Sequence, residues 1–454
     1  MQNLFHEVAS LDARCYEKFG LSEDILMEHA AEGMAAYIRK KFPKNSTITV
    51  VVGSGNNGAD GIALARLLHG DYEVSLYHVK VPKSPMAQLQ KKRADAVGVP
   101  TTNKITECDV LIDAIVGTGF TGEFTKEIAN TLNFMNEIKG YKIACDVPSG
   151  FKFYADATLT MGALKTSLFE DAAKDCVGEI QVIDLGVSRK MYEQSSPMQL
   201  LEFTDMELPK RKIQNSHKGN YGHLAVLSGE KTGASILCAE AAFRLGTALV
   251  TLISNENIFK PYQIMQSHQL PPTTSAIALG MGLGVEFSNS ELESFLDNNL
   301  PLVLDADIFY HPLFLKFLQR ENVILTPHPK EFCQILKVCN LADIDVNTLQ
   351  KDRLKYVQLF SARYKNVVLV LKGANVLICQ DKELFINPYG SNVLAKGGSG
   401  DVLAGLIASL LSQGYSTLQS AINGSLIHTK LAQNYSGADF SLTPNDLIEG
   451  IGKL

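Results

Sequence analysis

Short β-branched runs alternate with stretches of helical spacing along the first third of the chain. Thr47–Val52 (TITVVV) is a continuous run that stops at glycines, and Gly61–Leu68 after it sets Ile62, Ala65 and Leu68 on one helical face. Glu73–Val79 reads as the next strand, and residues 81–97 as a polar helix following Pro82 and Pro85. Asp109–Ile115 (DVLIDAI) is a third strand, Phe124–Ile138 a helix and Tyr141–Cys145 a fourth strand. Ahead of them, residues 10–41 look helical, with Ala30, Ala31, Met34, Ala35 and Ile38 on an apolar face. Strands alternating with helices of this length imply βαβ units, hence a parallel sheet covered on both faces.

The rhythm breaks over residues 188–215, which are polar, contain Pro197 and Pro209, and end in a basic cluster. The domain boundary is expected there, at about 205–213, leaving residues 1–205 and 213–454 as two domains. A second βα series starts at Gly222–Leu227 and continues through a helix at Ser235–Leu245. Strands follow at Ala248–Ile253, Ala276–Leu279, Pro301–Leu304, Val323–Leu325 and Val367–Leu371. A last helix, Asp401–Gln413, comes directly after a glycine cluster. The fold class read from this pattern is α/β in both halves.

Composition adds exclusions. Of 454 residues, 46% are hydrophobic and 20% charged, as in soluble globular proteins, so disordered, collagenous and coiled-coil classes are set aside. Lys and Arg number 42 against 48 Asp and Glu, a net charge of −6, which gives no electrostatic basis for a nucleic-acid partner. No apolar run approaches the roughly 18 residues of a membrane span. The first residues carry charges where a signal peptide needs an apolar stretch, so no membrane partner and a cytoplasmic location are expected. The eight cysteines are scattered, with no Cys-x-x-Cys, and read as buried thiols in a reduced compartment.

Candidate chemistry begins at the first glycine loop. Gly53-Ser54-Gly55-Asn56-Asn57-Gly58 matches the dinucleotide fingerprint, with the acidic Asp71 and Glu73 further on. Alone it suggests a dehydrogenase, or only a tight turn. Asn56, Asn57 and Asp60 say more, because a carboxylate repels a pyrophosphate, whereas oxygen-rich side chains suit a hard cation or ribose hydroxyls. Two further segments end strands of the same sheet. Asp113 precedes Gly117-Thr118-Gly119-Phe120-Thr121-Gly122-Glu123, and Asp146 opens Asp146-Val147-Pro148-Ser149-Gly150. Carboxyl ends of parallel strands face one crevice, so the three segments point into one site.

Here the sequence resembles the NAD(P)H-hydrate epimerase family, over about residues 1–200. The family's Asn-Asn-Gly-Gly-Asp-Gly loop stands as Asn56-Asn57-Gly58-Ala59-Asp60-Gly61, with Ala59 in place of a glycine, and its Asp-x-Pro-Ser-Gly is intact at 146–150. The resemblance implies a Rossmann-like αβα sandwich. It also implies a potassium ion held by Asn57, Asp113 and Ser149. The hydrated nicotinamide nucleotide would be held by Asn56, Asn57, Gly58, Ala59 and Asp60, by Gly117, Thr118, Gly119, Phe120, Thr121, Gly122 and Glu123, and by Asp146. The implied reaction interconverts the R and S epimers at the hydrated ring carbon. Asp113 or Asp146 is expected to move the proton as the ring nitrogen's lone pair expels the hydroxyl, Asp113 being favoured as the catalytic carboxylate.

In the second half, Gly397-Gly398-Ser399-Gly400-Asp401 opens a strongly apolar helix. Glycines there let backbone N–H groups turn toward one point at a helix N-terminus, an anion hole suited to phosphate. Asp401 beside it reads as a base that deprotonates an attacking hydroxyl, or as a favourable charge at a helix start. The P-loop and protein-kinase signatures are missing. The arrangement resembles the ribokinase-like superfamily, and within it the ADP/ATP-dependent NAD(P)H-hydrate dehydratases, from about residue 213 onward. The ordered markers are His217-Lys218-Gly219, Gly233-Ala234, Gly280-Met281-Gly282-Leu283-Gly284, Leu304-Asp305-Ala306-Asp307, Thr326-Pro327-His328-Pro329-Lys330-Glu331, Leu371-Lys372-Gly373-Ala374 and the closing glycine loop.

That resemblance implies a ribokinase-like αβα domain in which Ala234, Gly282 or Gly284, His328 and Asp401 contact the hydrate. Lys372, Gly373, Ala374, Asn375, Val376 and Gly400 would contact ADP or ATP. Asp305 and Asp307 read either as turn formers or as positioning Mg2+. Lys330 and Lys396 depart from the family's usual residues and add positive charge near the phosphate site, or are simply solvated. The implied mechanism is phosphorylation of the ring hydroxyl, Asp401 taking its proton, followed by loss of phosphate. The expectation is a bifunctional repair enzyme that epimerises hydrated NADH or NADPH and dehydrates the S form, acting as a homo-oligomer. The rivals are a ribokinase-like vitamin or sugar kinase fused to a nucleotide-binding domain, a non-catalytic nucleotide sensor, and an oxidoreductase.

Overall fold

Thr47–Val52 carries no charge because it is buried on both faces, inside a parallel sheet. A computed structural model describes residues 1–120, 122–284, 292–296 and 298–454. The chain divides into two compact units, Asn3–Ser196 and Pro197–Leu454, the second taking in Met1–Gln2.

In the first unit a short parallel pair joins β1 (Gln2–Phe5) to β8 (Leu164–Lys165). The main sheet contains β2 (Thr47–Val52), β3 (Glu73–His78), β4 (Thr101–Thr102), β5 (Val110–Ala114), β6 (Tyr141–Cys145), β7 (Ala157–Met161) and β9 (Glu179–Ile183). Their order is β4-β3-β2-β5-β6-β7-β9, every pair parallel. Side chains alternate across it. Ile48, Val50, Val52, Ile112 and Ala114 pack with the helices Glu23–Lys41 and Asn56–Leu68. Val51 and Leu111 face the other way, onto Ile128, Leu132 and Met135 of the helix Lys126–Glu137. This is the expected αβα sandwich. The chain leaves β2 toward β3 on one side and returns to β5 on the other, which opens a crevice at the carboxyl ends of β2 and β5.

In the second unit the strands are β10 (Met198–Leu200), β11 (His223–Leu227), β12 (Leu249–Ile253), β13 (Met265–Ser267), β14 (Ala276–Leu279), β15 (Leu302–Leu304), β16 (Val323–Leu325), β17 (Val367–Leu371), β18 (Val376–Gln380) and β19 (Glu383–Asn387). They run β13-β12-β11-β14-β15-β16-β17-β18-β19-β10. The order is parallel through β17 and then turns antiparallel at the hairpin β17–β18–β19, which the sequence pattern does not name. Residues 197–205, counted with the first domain on composition, go with the second unit because β10 pairs with β19. The helix Ser399–Ser412 packs across β11, β14 and β15 and is buried from Val402 to Ser412. It lies against Thr232–Arg244, where a Cβ on Gly405 would sit 2.3 Å from the Cys238 carbonyl oxygen. On the opposite face Arg353–Arg363 packs on β17 and β18. No helix among the described residues is long and apolar enough to cross a membrane.

Candidate active sites

The crevice of the first unit holds a cavity of about 490 Å³, lined by the two glycine loops, by Asp60 and Asp146, and by Asp12 and Tyr192. The loop after β2 is glycine-rich for steric reasons. A Cβ on Gly53 would sit 1.9 Å from the Ile115 carbonyl oxygen, and one on Gly58 would sit 2.2 Å from the carbonyl oxygen of Gly53. Asn56 and Asn57 open the helix and line the cavity, as do Gly117, Thr118, Gly119 and Phe120 from the second loop. Asn56 donates to Glu23 Oε1 at 2.7 Å. The buried amide oxygen and nitrogen of Asn57 find no partner among the described residues. The bare backbone of Gly117 passes so close that a Cβ there would be 3.3 Å from Asp146 Oδ2 and 3.4 Å from Asn57 Oδ1.

Asp146 follows β6 with a φ of 68°. Its Oδ1 accepts from Lys165 Nζ at 2.7 Å, from Met161 N at 3.2 Å and from Thr160 Oγ1 at 3.3 Å. Its Oδ2 takes none of these and is the oxygen near Gly117. Lys165 is 1% exposed and also donates to Thr160 Oγ1 and the Met161 carbonyl. Sequence reading missed this lysine, which sits in the apolar stretch Gly162–Phe169, with a long-range pairing as its only signal. Asp60 is enclosed, and burial followed by the neighbouring Asp146 and Asp12 raises its carboxyl well above the usual range.

The other first-unit residues stand apart. Asp113 lies in register between Val51 and Ala144 and is 0% exposed, beneath the cavity instead of in its lining. It accepts from Ser149 N at 2.7 Å, Ser149 Oγ at 2.7 Å and Ile115 N at 3.1 Å. Burial pushes it up to about 6 despite those bonds. Ser149 is likewise fully buried. Ala59 turns its methyl into a small core with Met27 and Ala87, away from the cavity. Gly122 and Glu123 are exposed and outside the lining. Thr121 lies outside the described residues.

The second site gathers at carboxyl ends of β11, β14, β15, β16 and β17. Gly398 caps the helix Ser399–Ser412 with a φ of 90°, and the N–H groups of Gly398, Gly400 and Asp401 meet no backbone acceptor among the described residues. Lys372, directly after β17, donates to Asp305 Oδ1 at 2.8 Å and would lie 3.2 Å from a Cβ on Gly400. The buried Arg353 donates to the carbonyls of Lys372 (3.1 Å) and Asn375 (3.0 Å), fixing the turn that carries Lys372, Gly373, Ala374 and Asn375 into Val376. Asp401 makes no hydrogen bond through its side chain among the described residues. Burial, then Asp305 and Asp307, push it up to about 6, and Lys372 opposes the shift.

Ala234 and Gly282 lie together, a Cβ on Gly282 falling 3.1 Å from that of Ala234. The Gly284 N–H donates to Asp307 Oδ2 at 2.9 Å. His328 caps the helix Pro329–Val338 in a reciprocal arrangement with Glu331, whose side chain accepts the His328 N–H at 2.7 Å. Burial and then Asp305 push Glu331 up to about 7. Ser399 Oγ lies 3.1 Å from His428 Nε2, a buried neutral imidazole pushed down to about 4 by burial and Lys372. Lys330 is exposed, and Lys396 donates to the Phe440 carbonyl at 3.0 Å.

Residues 224–453 match the family model described as NAD(P)H-hydrate dehydratase, and residues 23–167 that described as YjeF-related protein N-terminus. The chain is 42% identical over 478 aligned positions to the bifunctional NAD(P)H-hydrate repair enzyme Nnr of Helicobacter pylori, with all of both chains covered. It is 32% identical over 470 positions to the protein of the same description from Coxiella burnetii, covering 94% of each. Among solved structures it is similar to ADP/ATP-dependent NAD(P)H-hydrate dehydratase from Bacillus subtilis co-crystallized with ATP/Mg2+, at 29% identity and a TM-score of 0.46 over 54% of this chain and 92% of that one.

Proposed function

This chain belongs to the family of bifunctional NAD(P)H-hydrate repair enzymes, and we propose that it restores hydrated NADH and NADPH at two separate sites. The first unit interconverts the R and S hydrates. The second dehydrates the S hydrate with ADP or ATP. The observation that carries this reading is Asp401, a carboxylate free of hydrogen bonds among the described residues, beside N–H groups without backbone acceptors at a helix start.

Asp401 takes the proton of the ring hydroxyl, whose oxygen attacks the terminal phosphoryl of the nucleotide. The N–H groups of Gly400 and Asp401 and the ammonium of Lys372 face the transferred phosphoryl. The C–O bond then breaks, phosphate leaving with the bonding pair as the ring nitrogen's lone pair forms the iminium, and loss of a proton from the adjacent carbon restores the dihydronicotinamide. Phosphorylation turns hydroxide, a poor leaving group, into a good one. The turn Lys372–Val376 borders the adenine nucleotide, while Ala234, Gly282 and His328 border the hydrate. A Mg2+ ion shields nucleotide phosphates when bound. Asp305 and Asp307 would hold it, since Mg2+ takes one or two protein carboxylates beside nucleotide phosphates.

In the first unit Asp146 moves the proton, because it lines the cavity whereas Asp113 is fully buried outside the lining. Lys165 holds Asp146 in place through the 2.7 Å contact to Oδ1. Asp113 ties Ser149 to the end of β5 and so shapes the floor. A potassium ion would be held by the Asn57 amide oxygen, unpartnered among the described residues, together with Asp113 and Ser149. Three of the roughly four lone-pair positions of the Asp113 carboxylate are taken, leaving one. When bound, that cation fixes the floor electrostatically.

The test supplies both hydrate epimers, Mg2+ and ADP or ATP, and follows the return of dihydronicotinamide absorbance. Wild-type protein converts both epimers. Asp401→Asn recovers none, and Asp146→Asn leaves mostly the R form at short times. A stable phosphorylated vitamin or sugar with no hydrate turnover would replace this reading with the kinase alternative.

A further inference from the structure

One pair of cavity residues has no part in the chemistry above. Asp12, on the helix Ala9–Phe19, accepts the phenolic hydrogen of Tyr192 at Oδ1, 2.8 Å away. Both side chains line the cavity that holds Asp146. Arg14, on the same helix, donates to the Tyr192 carbonyl at 2.6 Å, so Tyr192 is gripped at both its hydroxyl and its backbone. The tyrosine ring reaches the cavity over Gly162, where a Cβ would clash at 2.5 Å, and is 1% exposed. Asp12 Oδ2 accepts no hydrogen bond among the described residues. Asp12 therefore enters the cavity from the N-terminal helix, and Asp146 enters it from the end of β6.

Epimerisation by loss and return of water needs proton transfer on both faces of the ring. On one face an acid protonates the departing hydroxyl. On the other a base accepts a proton from the incoming water. We propose that Asp12, held by Tyr192, is a second catalytic residue of the epimerase cavity, serving the ring face that Asp146 does not. In one direction the C–O bond breaks as the Asp12 carboxyl gives its proton to the leaving hydroxyl, and the ring nitrogen's lone pair forms the iminium. Water then adds to the opposite face and loses a proton to Asp146. The reverse direction exchanges the two roles, and exchange with solvent restores the starting protonation.

Asp12 is suited to hold that proton. Burial raises its carboxyl, the Tyr192 hydrogen bond and Lys165 oppose the rise, and Asp146 and Glu23 add to it. Asp60 faces the same cavity, so three carboxyls share the single buried ammonium of Lys165 among the described lining and its partners. They cannot all ionise at once without mutual repulsion.

This inference rests on the epimerase reading, and the two are separated by measuring wild type first, without nucleotide so that the second site is idle. The readouts are inversion of purified R and S hydrates and uptake of 18O from labelled water into the hydroxyl. Wild-type inversion accompanied by 18O uptake upholds the reading. Asp12→Asn keeps an acceptor for Tyr192. It is expected to lower inversion by at least about 100-fold while 18O exchange without inversion persists for one epimer. Tyr192→Phe is expected to shift the pH profile of inversion and leave exchange intact. Wild-type inversion by Asp12→Asn would overturn the proposal, and so would loss of exchange and inversion together, because removing one face's group must spare the other.

Discussion

Asp401 is the base of the second site on the reading proposed above, and its surroundings fix the direction of several effects. A general base pushed up to about 6 is active when ionised, so dehydration should fall about tenfold per pH unit below that value and level off above it. Asp305 raises the Asp401 carboxyl and Lys372 lowers it. Asp305→Asn should therefore move the acid limb of the rate profile down in pH, and Lys372→Met should move it up. The pH dependence of single-turnover phosphate release reads both. Lys372→Met also strands Asp305, whose side chain is only 3% exposed, and should cost about 3 kcal/mol in denaturant unfolding. Equal limbs in all three proteins would show that this cluster does not govern the base. In the other unit, the departure from the family pattern at Ala59 is harmless on this geometry, since its methyl faces Met27 and Ala87. Ala59→Gly should leave hydrate affinity unchanged and destabilise the helix by about 0.5–1 kcal/mol.

At the scale of elements, both sites lie where loops leave the carboxyl ends of parallel strands, and the loops are built from glycines that cannot be enlarged. Gly58→Ala places a Cβ 2.2 Å from the Gly53 carbonyl oxygen. Backbone must move, so unfolding stability should drop by roughly 1–3 kcal/mol and epimerisation should weaken with it. A Gly58→Ala protein of unchanged stability would contradict the packing described. The strands and loops were legible in sequence because their signals are local. Tyr141–Cys145, Ala276–Leu279 and Val367–Leu371 show as apolar runs, and the glycine loop before Asp401 announces its helix. Lys165 and Tyr192 were not legible. Each matters through a side chain supplied by a distant element, Asp146 for the first and Asp12 for the second. The depth of Asp113 was also hidden, since a strand-end carboxylate and one sealed a residue earlier look alike in sequence. The hairpin β18–β19 escaped because its pairing is antiparallel inside a series that reads as parallel.

For the whole molecule, the two activities form a sequence. Epimerisation supplies the isomer that dehydration consumes, so a protein with both sites empties a mixed pool of hydrates, whereas a protein with one site stalls. Each unit brings its own sheet and its own crevice, and their boundary at Ser196–Pro197 follows strand pairing more than composition. The account as a whole depends on phosphoryl transfer to the hydrate at Asp401. The most direct test is the stoichiometry of a single incubation of purified S hydrate with ADP and Mg2+, in wild-type protein and in Asp401→Asn. The account predicts one AMP and one inorganic phosphate for each dihydronicotinamide restored by wild type, and none of the three from the variant. Dihydronicotinamide restored without nucleotide cleavage, or restored equally by Asp401→Asn, would contradict it.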